Sequence, residues 1–119
     1  MEEKETVYMV VIQQDGKVEK KPLDTKRTLE CLQHEVHGWI ERVVFLNEEY
    51  IIGDILVDMW VNEEGLYIED FTDNLKAMKL TGYPCLVGPA VLTKLDMDDE
   101  GRTLGFSEKE ADDIIGKIG

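Results

Sequence analysis

Two short hydrophobic segments near the start of the chain predict a β-hairpin. Residues 6–12 are rich in Val, Tyr and Ile at both alternating sets of positions, as in a central strand that is covered on both faces. Asp15-Gly16 predicts the turn, because glycine accepts the positive φ that a tight reversal needs. Val18–Leu23 then returns as the second strand, and Pro22, which has no N–H to donate, places that strand at an edge.

The segment after this hairpin has the period of an amphipathic helix that runs to about Val36. Asp24 or Thr25 can cap its N-terminus with a side-chain oxygen. Gly38 predicts a left-handed residue that stops the helix. The predicted buried stripe consists of Leu29, Leu32 and Val36.

Two further segments alternate in the manner of strands. Residues 39–46 place Ile40, Val44 and Leu46 on one face and Trp39, Val43 and Phe45 on the other. Residues 54–61 direct four apolar side chains to one face, those of Ile55, Val57, Met59 and Val61. Residues 62–65 then form a turn, and we expect residues 66–68 to pair back briefly as a strand.

The last third of the chain predicts a helix, a strand and a second helix. Asp73 can cap a short helix that ends near Leu80 and buries Leu75, Ala77 and Met78. Residues 86–95 read as a long strand in which Gly88-Pro89 marks a bulge or an edge. An acidic turn follows at residues 96–101. Ser107 and Glu110 then form a capping box for a final helix that buries Ala111, Ile114, Ile115 and Ile118.

The resulting order, β-β-α-β-β-α-β-α, predicts an α+β fold. We expect a small mixed or mainly antiparallel sheet of about five strands, packed by two or three helices, because several connections have hairpin length. The 119 residues match the usual size of one domain, and no linker or low-complexity segment divides them. We therefore treat residues 1–119 as a single domain.

The charge balance restricts the partners. The chain carries 26 acidic and 13 basic residues, a net charge of −13, and nearly all of the acidic excess follows residue 30. Such a field repels phosphate backbones and anionic lipids, so we expect no direct nucleic-acid or membrane binding. The same field attracts basic protein surfaces. The N-terminus lacks an apolar signal segment, and no apolar run reaches the about 20 residues that span a bilayer, which predicts a cytoplasmic protein.

The cysteines and histidines do not form a convincing site. Cys31, His34 and His37 follow at three-residue steps, but on a helix the first and last point roughly 120° apart. Residues 96–101 imitate the start of a calcium loop, yet its twelfth position falls on Ser107 instead of glutamate. Cys31 has a histidine nearby but no oxyanion-forming glycine-rich turn. We therefore expect no metal, no other cofactor and no enzymatic activity.

The order of several short motifs resembles an uncharacterised domain family, DUF3846, that phages and conjugative elements carry. Between Leu29 and Ile118 the matching residues are Gly38-Trp39-Ile40-Glu41, Val61-Asn62-Glu63-Glu64-Gly65, Asn74 with Ala77, Val87-Gly88-Pro89-Ala90-Val91, and Glu100-Gly101. The resemblance implies an accessory protein of a mobile element, acting in the host cytoplasm. It supplies no established catalytic residues, and any ligand site that the family shares would lie around Asn74.

These observations lead to three functional hypotheses. The first is a non-enzymatic protein that binds a basic protein surface, such as that of a host nuclease or DNA-binding complex, and inhibits it. Its carboxylates would come from Glu63, Glu64, Glu69, Asp70, Asp73, Asp98, Asp99 and Glu100. The second is a small-ligand or nucleotide-binding module that uses Trp39, Asn74 and Tyr83, with the aromatic rings stacking on a base. The third is an unrecognised enzyme around Cys31.

Overall fold

The computed structural model describes residues 6–45, 51–96 and 102–119. The strands in these ranges are β1 (Val7–Ile12), β2 (Val18–Leu23), β3 (Ile40–Val43), β4 (Ile51–Ile52), β5 (Ile55–Asn62), β6 (Ala90–Asp96) and β7 (Arg102–Leu104). The α-helices are α1 (Thr28–Val36), α2 (Leu75–Thr81) and α3 (Glu108–Ile118), and a 3₁₀ turn spans Gly65–Tyr67.

The strands form one sheet in the order β2-β1-β6-β5-β3. All neighbours in this order run antiparallel, and so do the two short strands β4 and β7, which pair with β5 and β6. The predicted α+β class with an antiparallel sheet and three helices is therefore confirmed. The sequence predicted about five strands, and the two short strands are additional to these. They were not predicted because two or three residues are too few to show an alternating pattern.

The helices cover both faces of the sheet. Helix α1 packs on one face over a core of Met9, Val11, Leu23, Leu32, Val36 and Val91. Helices α2 and α3 pack on the other face over a larger core, which includes Val10, Ile12, Val57, Met59, Leu92, Phe106 and Ile114. The alternation that was predicted for residues 54–61 is correct, since Ile55, Val57, Met59 and Val61 all belong to this larger core.

Helix α1 begins later than predicted. Its N-cap is Arg27, which makes no side-chain capping bond, whereas the Asp24 carboxylate accepts the Lys26 backbone N–H at 2.9 Å in a turn before the helix. Leu29 therefore falls in the first helical turn and is 51% exposed instead of buried. The left-handed stop is also misplaced, because His37, with φ 65°, ends the helix instead of Gly38.

Gly38 has a different role from the predicted one. A Cβ at this position would lie 2.8 Å from the side-chain nitrogen of Asn62, so the close approach of that side chain requires a glycine. Beyond it, Val43 and Phe45, which were predicted to share one face, are both buried, but Trp39, which was placed on the same face, is exposed. Leu46 lies outside the described residues.

Four predictions for residues 66–95 are wrong. Residues 66–68 lie in and just after the 3₁₀ turn and not in a strand. Asn74, and not Asp73, caps α2, and Leu75 is 69% exposed. Gly88-Pro89 precede β6 instead of interrupting it, so the proline stands just outside a central strand, where no ladder hydrogen bond is lost.

The two ends of the chain follow the sequence pattern closely. Strands β1 and β2 form the predicted antiparallel hairpin, and β2 with Pro22 lies at the sheet edge. Helix α3 has the predicted capping box, in which Ser107 and Glu110 satisfy each other's backbone N–H groups. No helix in the described part of the chain is long and apolar enough to cross a membrane.

Candidate protein-interaction surface

Five of the predicted carboxylates lie in one connection, residues 63–74, between β5 and α2. All five are exposed, and none belongs to an ion pair among the residues that the structure describes: Glu63, Glu64, Glu69, Asp70 and Asp73. No Lys or Arg occurs in the sequence between Arg42 and Lys76, so this connection has no basic residue of its own.

Asn62 fixes the start of the connection. This residue is buried at the end of β5, where its side-chain amide donates to the Val36 carbonyl at 2.9 Å and accepts the Glu64 N–H at 2.7 Å. The Glu63 N–H in turn donates to the Trp39 carbonyl at 2.8 Å. The turn that carries Glu63 and Glu64 is therefore tied to α1 and to the residue before β3.

Asn74 fixes the end of the connection. Its side-chain oxygen accepts the Ala77 N–H at 3.1 Å, and its side-chain nitrogen donates to the carbonyls of Ile12 and Gly88 at 2.8 and 2.9 Å. These contacts make α2 start where β1 ends. Both the oxygen and the nitrogen of this side-chain amide are therefore bonded to backbone groups. Asn74, which was suggested as a ligand-binding residue, thus has a structural role.

Gln14 and Phe71 hold the middle of the connection. The Gln14 amide, in the β1–β2 turn, donates to the Asp70 carbonyl and accepts the Thr72 N–H, both at 3.0 Å. The Phe71 ring packs so closely on Gly88 that a Cβ there would lie 2.4 Å from it. Because three points along the connection are fixed, its carboxylates are displayed from an ordered backbone.

Large apolar side chains accompany these carboxylates. Trp39 is 68%, Leu66 74% and Tyr67 88% exposed. Tyr and Trp have a large apolar surface and a polar atom, which suits them to protein contacts. We call the following set the acidic–aromatic surface: Trp39, Glu63, Glu64, Leu66, Tyr67, Glu69, Asp70 and Asp73.

Carboxylates elsewhere in the described residues are commonly paired. Glu35 accepts from Lys21 at 2.7 Å, and this hydrogen bond raises the pKa of the lysine. Burial opposes ionisation of Glu110, but hydrogen bonds from Lys94 and Ser107 outweigh it and lower the pKa of Glu110. The contrast matters because a paired carboxylate has lost much of its attraction for an outside cation, whereas the unpaired ones keep it.

The other predicted site residues have varied positions. Asp98, Asp99 and Glu100 lie outside the described residues. Trp39 lines a shallow groove with Gln33 and His34, and Tyr83 lines a different cavity. Asn74 is buried. The three residues that were suggested for a nucleotide site are therefore not brought together in one pocket.

The cysteine and histidine cluster spreads out in the structure. Cys31 is half-buried in a groove between α1 and β2, and His34 lines the same groove. His37 instead turns toward Phe71, with 6.1 Å between the ring centroids. In the ranges that the structure describes, no three His, Cys, Asp or Glu side chains are arranged to hold a metal ion.

Sequence reasoning identified the carboxylates of this surface, but it did not join the apolar side chains to them, and it named Trp39 only for a nucleotide site. Leu66 and Tyr67 were assigned to a pairing strand, and Trp39 to a strand face that also holds buried residues. A signal for this region was present in the sequence, namely the long interval without Lys or Arg that surrounds the Glu63-Glu64-Gly65 turn.

The fold and this surface define a small α+β domain with an open antiparallel sheet and an acidic surface at one sheet end. The chain belongs to the family described as Domain of unknown function (DUF3846), whose sequence profile matches residues 6–119. The resemblance inferred from the short motifs is thereby confirmed. No curated protein and no solved structure matches the chain significantly.

Proposed function

We propose that this protein is a non-enzymatic interaction protein of a phage or mobile element that binds a basic protein surface through its acidic–aromatic surface. The partner would be a host defence or nucleic-acid-binding protein, which the bound protein inhibits by occupying the site of the phosphates. The observation that carries the proposal is the placement of unpaired carboxylates beside exposed aromatic rings on a fixed connection.

Each component of the surface has a physical role in such binding. The carboxylates attract a basic partner over about 10 Å at 0.1 M salt and pair with its Lys and Arg side chains on contact. The exposed Trp39, Leu66 and Tyr67 supply apolar area that is removed from water in the complex. The ordered backbone reduces the entropy that binding must overcome.

A nucleotide-binding module has less support. Its suggested residues do not line one pocket, and the Asn74 amide is bonded to the backbone. An enzyme around Cys31 also has less support, because among the described hydrogen bonds Cys31 makes none to a histidine. Binding of a basic partner is the function that the geometry favours.

Capture of host proteins with matched charge variants tests this proposal. The test variant combines Glu63→Gln, Glu64→Gln and Glu69→Gln. The control removes the same charge at exposed positions elsewhere, in Glu30→Gln, Asp54→Asn and Asp113→Asn. Captured proteins are identified by mass spectrometry at about 0.1 M and about 0.5 M salt, since screening weakens exposed charge pairs.

We expect the wild type and the control to capture the same basic protein at low salt, and the test variant to lose it. High salt should release the captured protein from both. The proposal is wrong if no basic protein is captured, or if the test variant captures the same protein as strongly as the control. Circular dichroism and thermal unfolding establish that all three proteins are folded.

A further inference from the structure

A cavity of about 200 Å³ opens beside the acidic–aromatic surface, on the face of the sheet that α2 and α3 cover. It lies between the paired ends of β3 and β5, the 3₁₀ turn and the segment that leads from α2 to β6. Val43 and Val61 are buried at its base, and Tyr67 and Tyr83 line its sides. The exposed carboxylates of the lining are Glu41 and Glu63.

Strand register explains why these two carboxylates share the cavity. Glu41 on β3 is opposite Val61 on β5, and Glu63 is the first residue after the end of β5, so both carboxylates come from the same end of this strand pair. The backbone bond from Glu63 to Trp39 continues this register past the end of β5. Glu41 and Glu63 thus both line this cavity, where one bound cation can contact both carboxylates.

The nearest basic residue does not neutralise this pair. Arg42 contributes to the lining, but its Nε donates to the Asp58 carboxylate at 2.8 Å. Asp58 and Arg42 belong to the opposite face of the sheet, because they alternate with Val61, Val43 and Glu41 along their strands. Neither Glu41 nor Glu63 has an ion pair among the described residues.

The size of the cavity restricts its occupant. Pockets for drug-sized ligands and cofactors have volumes of about 300–1,000 Å³, so a cavity of about 200 Å³ fits a single side chain better than a nucleotide. Its lining requires an occupant with an apolar stem, a flat face that stacks on tyrosine, and a positive charge. Arginine has all three, and its guanidinium forms paired hydrogen bonds to carboxylates.

We propose that this cavity binds one arginine side chain of the partner protein. The inference rests on the proposed function and gives it an anchor. The guanidinium lies between Tyr67 and Tyr83 and pairs with Glu41 and Glu63, while the methylene groups contact Val43 and Val61. A basic surface would then be recognised by shape at one position as well as by its overall charge.

Titration with N-acetyl-arginine amide, followed by backbone NMR, tests the proposal directly. N-acetyl-citrulline amide is the matched control ligand, because it has the same shape without the charge. We expect a Kd in the millimolar range for arginine, with shifts at Glu41, Val61 and Tyr83, and a Kd at least about threefold weaker in the Glu41→Gln and Tyr83→Leu variants. Asp113→Asn removes one charge on α3 at a residue that does not line the cavity, and this variant should bind arginine as the wild type does.

Three results would overturn the arginine assignment. The first is that the citrulline control causes the same shifts as the arginine ligand. The second is that Nα-acetyl-lysine amide binds more tightly than the arginine ligand. The third is that both cavity variants bind the arginine ligand with wild-type affinity. The protein-capture experiment separates this proposal from the broader one. If Tyr83→Leu and Glu41→Gln leave capture intact while the Glu63, Glu64 and Glu69 variant loses it, the cavity proposal fails and the acidic surface remains supported.

Discussion

The Asn62 side chain joins the end of β5 to the last residue of α1 by donating to the Val36 carbonyl at 2.9 Å. The same amide accepts the Glu64 N–H at 2.7 Å, so one buried side chain connects a helix, a strand and the acidic turn. Gly38 makes room for it. The geometry of the acidic–aromatic surface therefore depends on a residue that does not belong to that surface.

Replacement of Asn62 by alanine should lower the free energy of unfolding by about 1–3 kcal/mol, because it leaves the Val36 carbonyl and the Glu64 N–H without their partner. Urea denaturation measures the loss. Asn62→Asp keeps an acceptor for Glu64 but no donor for Val36, so it separates the two bonds. Wild-type stability in the alanine variant would show that these bonds do not matter.

Two glycine-to-alanine substitutions should change stability in opposite directions. Gly88 has φ 78°, and an alanine Cβ there would lie 2.4 Å from the Phe71 ring, so Gly88→Ala should destabilise by about 2 kcal/mol or more. Gly116 lies in α3, and an alanine Cβ there would have no neighbouring side chain within 4 Å, so Gly116→Ala should stabilise by about 0.5–1 kcal/mol. Thermal unfolding compares them. Equal effects would contradict the described packing of Phe71.

The Lys94–Glu110 pair should make stability depend on pH. Because its partners lower the pKa of Glu110 below the ordinary 4.5, the folded carboxylate binds a proton less readily than the unfolded one. The stabilisation that the ionised Glu110 carboxylate provides is present above pH 4.5, the ordinary pKa. It is lost as the pH falls through the lowered pKa of the folded protein. Lys94→Met should therefore reduce the loss of unfolding free energy between about pH 6 and about pH 3.

Lys109→Met is the matched control for this pH experiment, since Lys109 is exposed on α3 and has no ion pair among the described residues. Its pH dependence should follow that of the wild type. If Lys94→Met and Lys109→Met give the same curve, the ion pair does not cause the dependence. Urea unfolding at each pH gives the required free energies.

The two cysteines should differ in reactivity. Cys85 is exposed at the cavity, whereas Cys31 is half-buried against α1 and β2. Iodoacetamide should therefore modify Cys85 several-fold faster, since the reagent reaches an exposed thiol more readily. Peptide mapping by mass spectrometry follows both residues in one sample. Faster modification of Cys31 would contradict the described exposure.

Local patterns predicted those parts of the fold that local interactions determine. The capping box of α3 involves only Ser107 and Glu110, and the β1–β2 hairpin needs only a turn between two adjacent strands. The cap of α2 could not be predicted in this way. Asp73 and Asn74 both have suitable side-chain oxygens, but only asparagine has an N–H group to donate to the carbonyls of Ile12 and Gly88, which are distant in sequence.

The candidate surface, like the fold, could be predicted only in part from the sequence. Charge is read directly from the sequence, so its carboxylates were identified. Exposure depends on what covers a side chain, and Trp39, Leu66 and Tyr67 have the composition of core residues. The pairing of β3 with β5, which places Glu41 beside Glu63, also comes from the tertiary fold and not from either segment alone.

The central position of β6 has a consequence for synthesis of the chain. Strand β1 pairs with β6, and Tyr8 and Phe106 exchange two backbone hydrogen bonds, so early and late segments meet in the middle of the sheet. A nascent chain that has not yet emerged past residue 90 leaves one edge of β1 unpaired and leaves uncovered the face of β1 on which α3 packs. The sheet can therefore be completed only after β6 and the segment around Phe106 have left the ribosome, and until then the early hairpin is a target for chaperones and for aggregation.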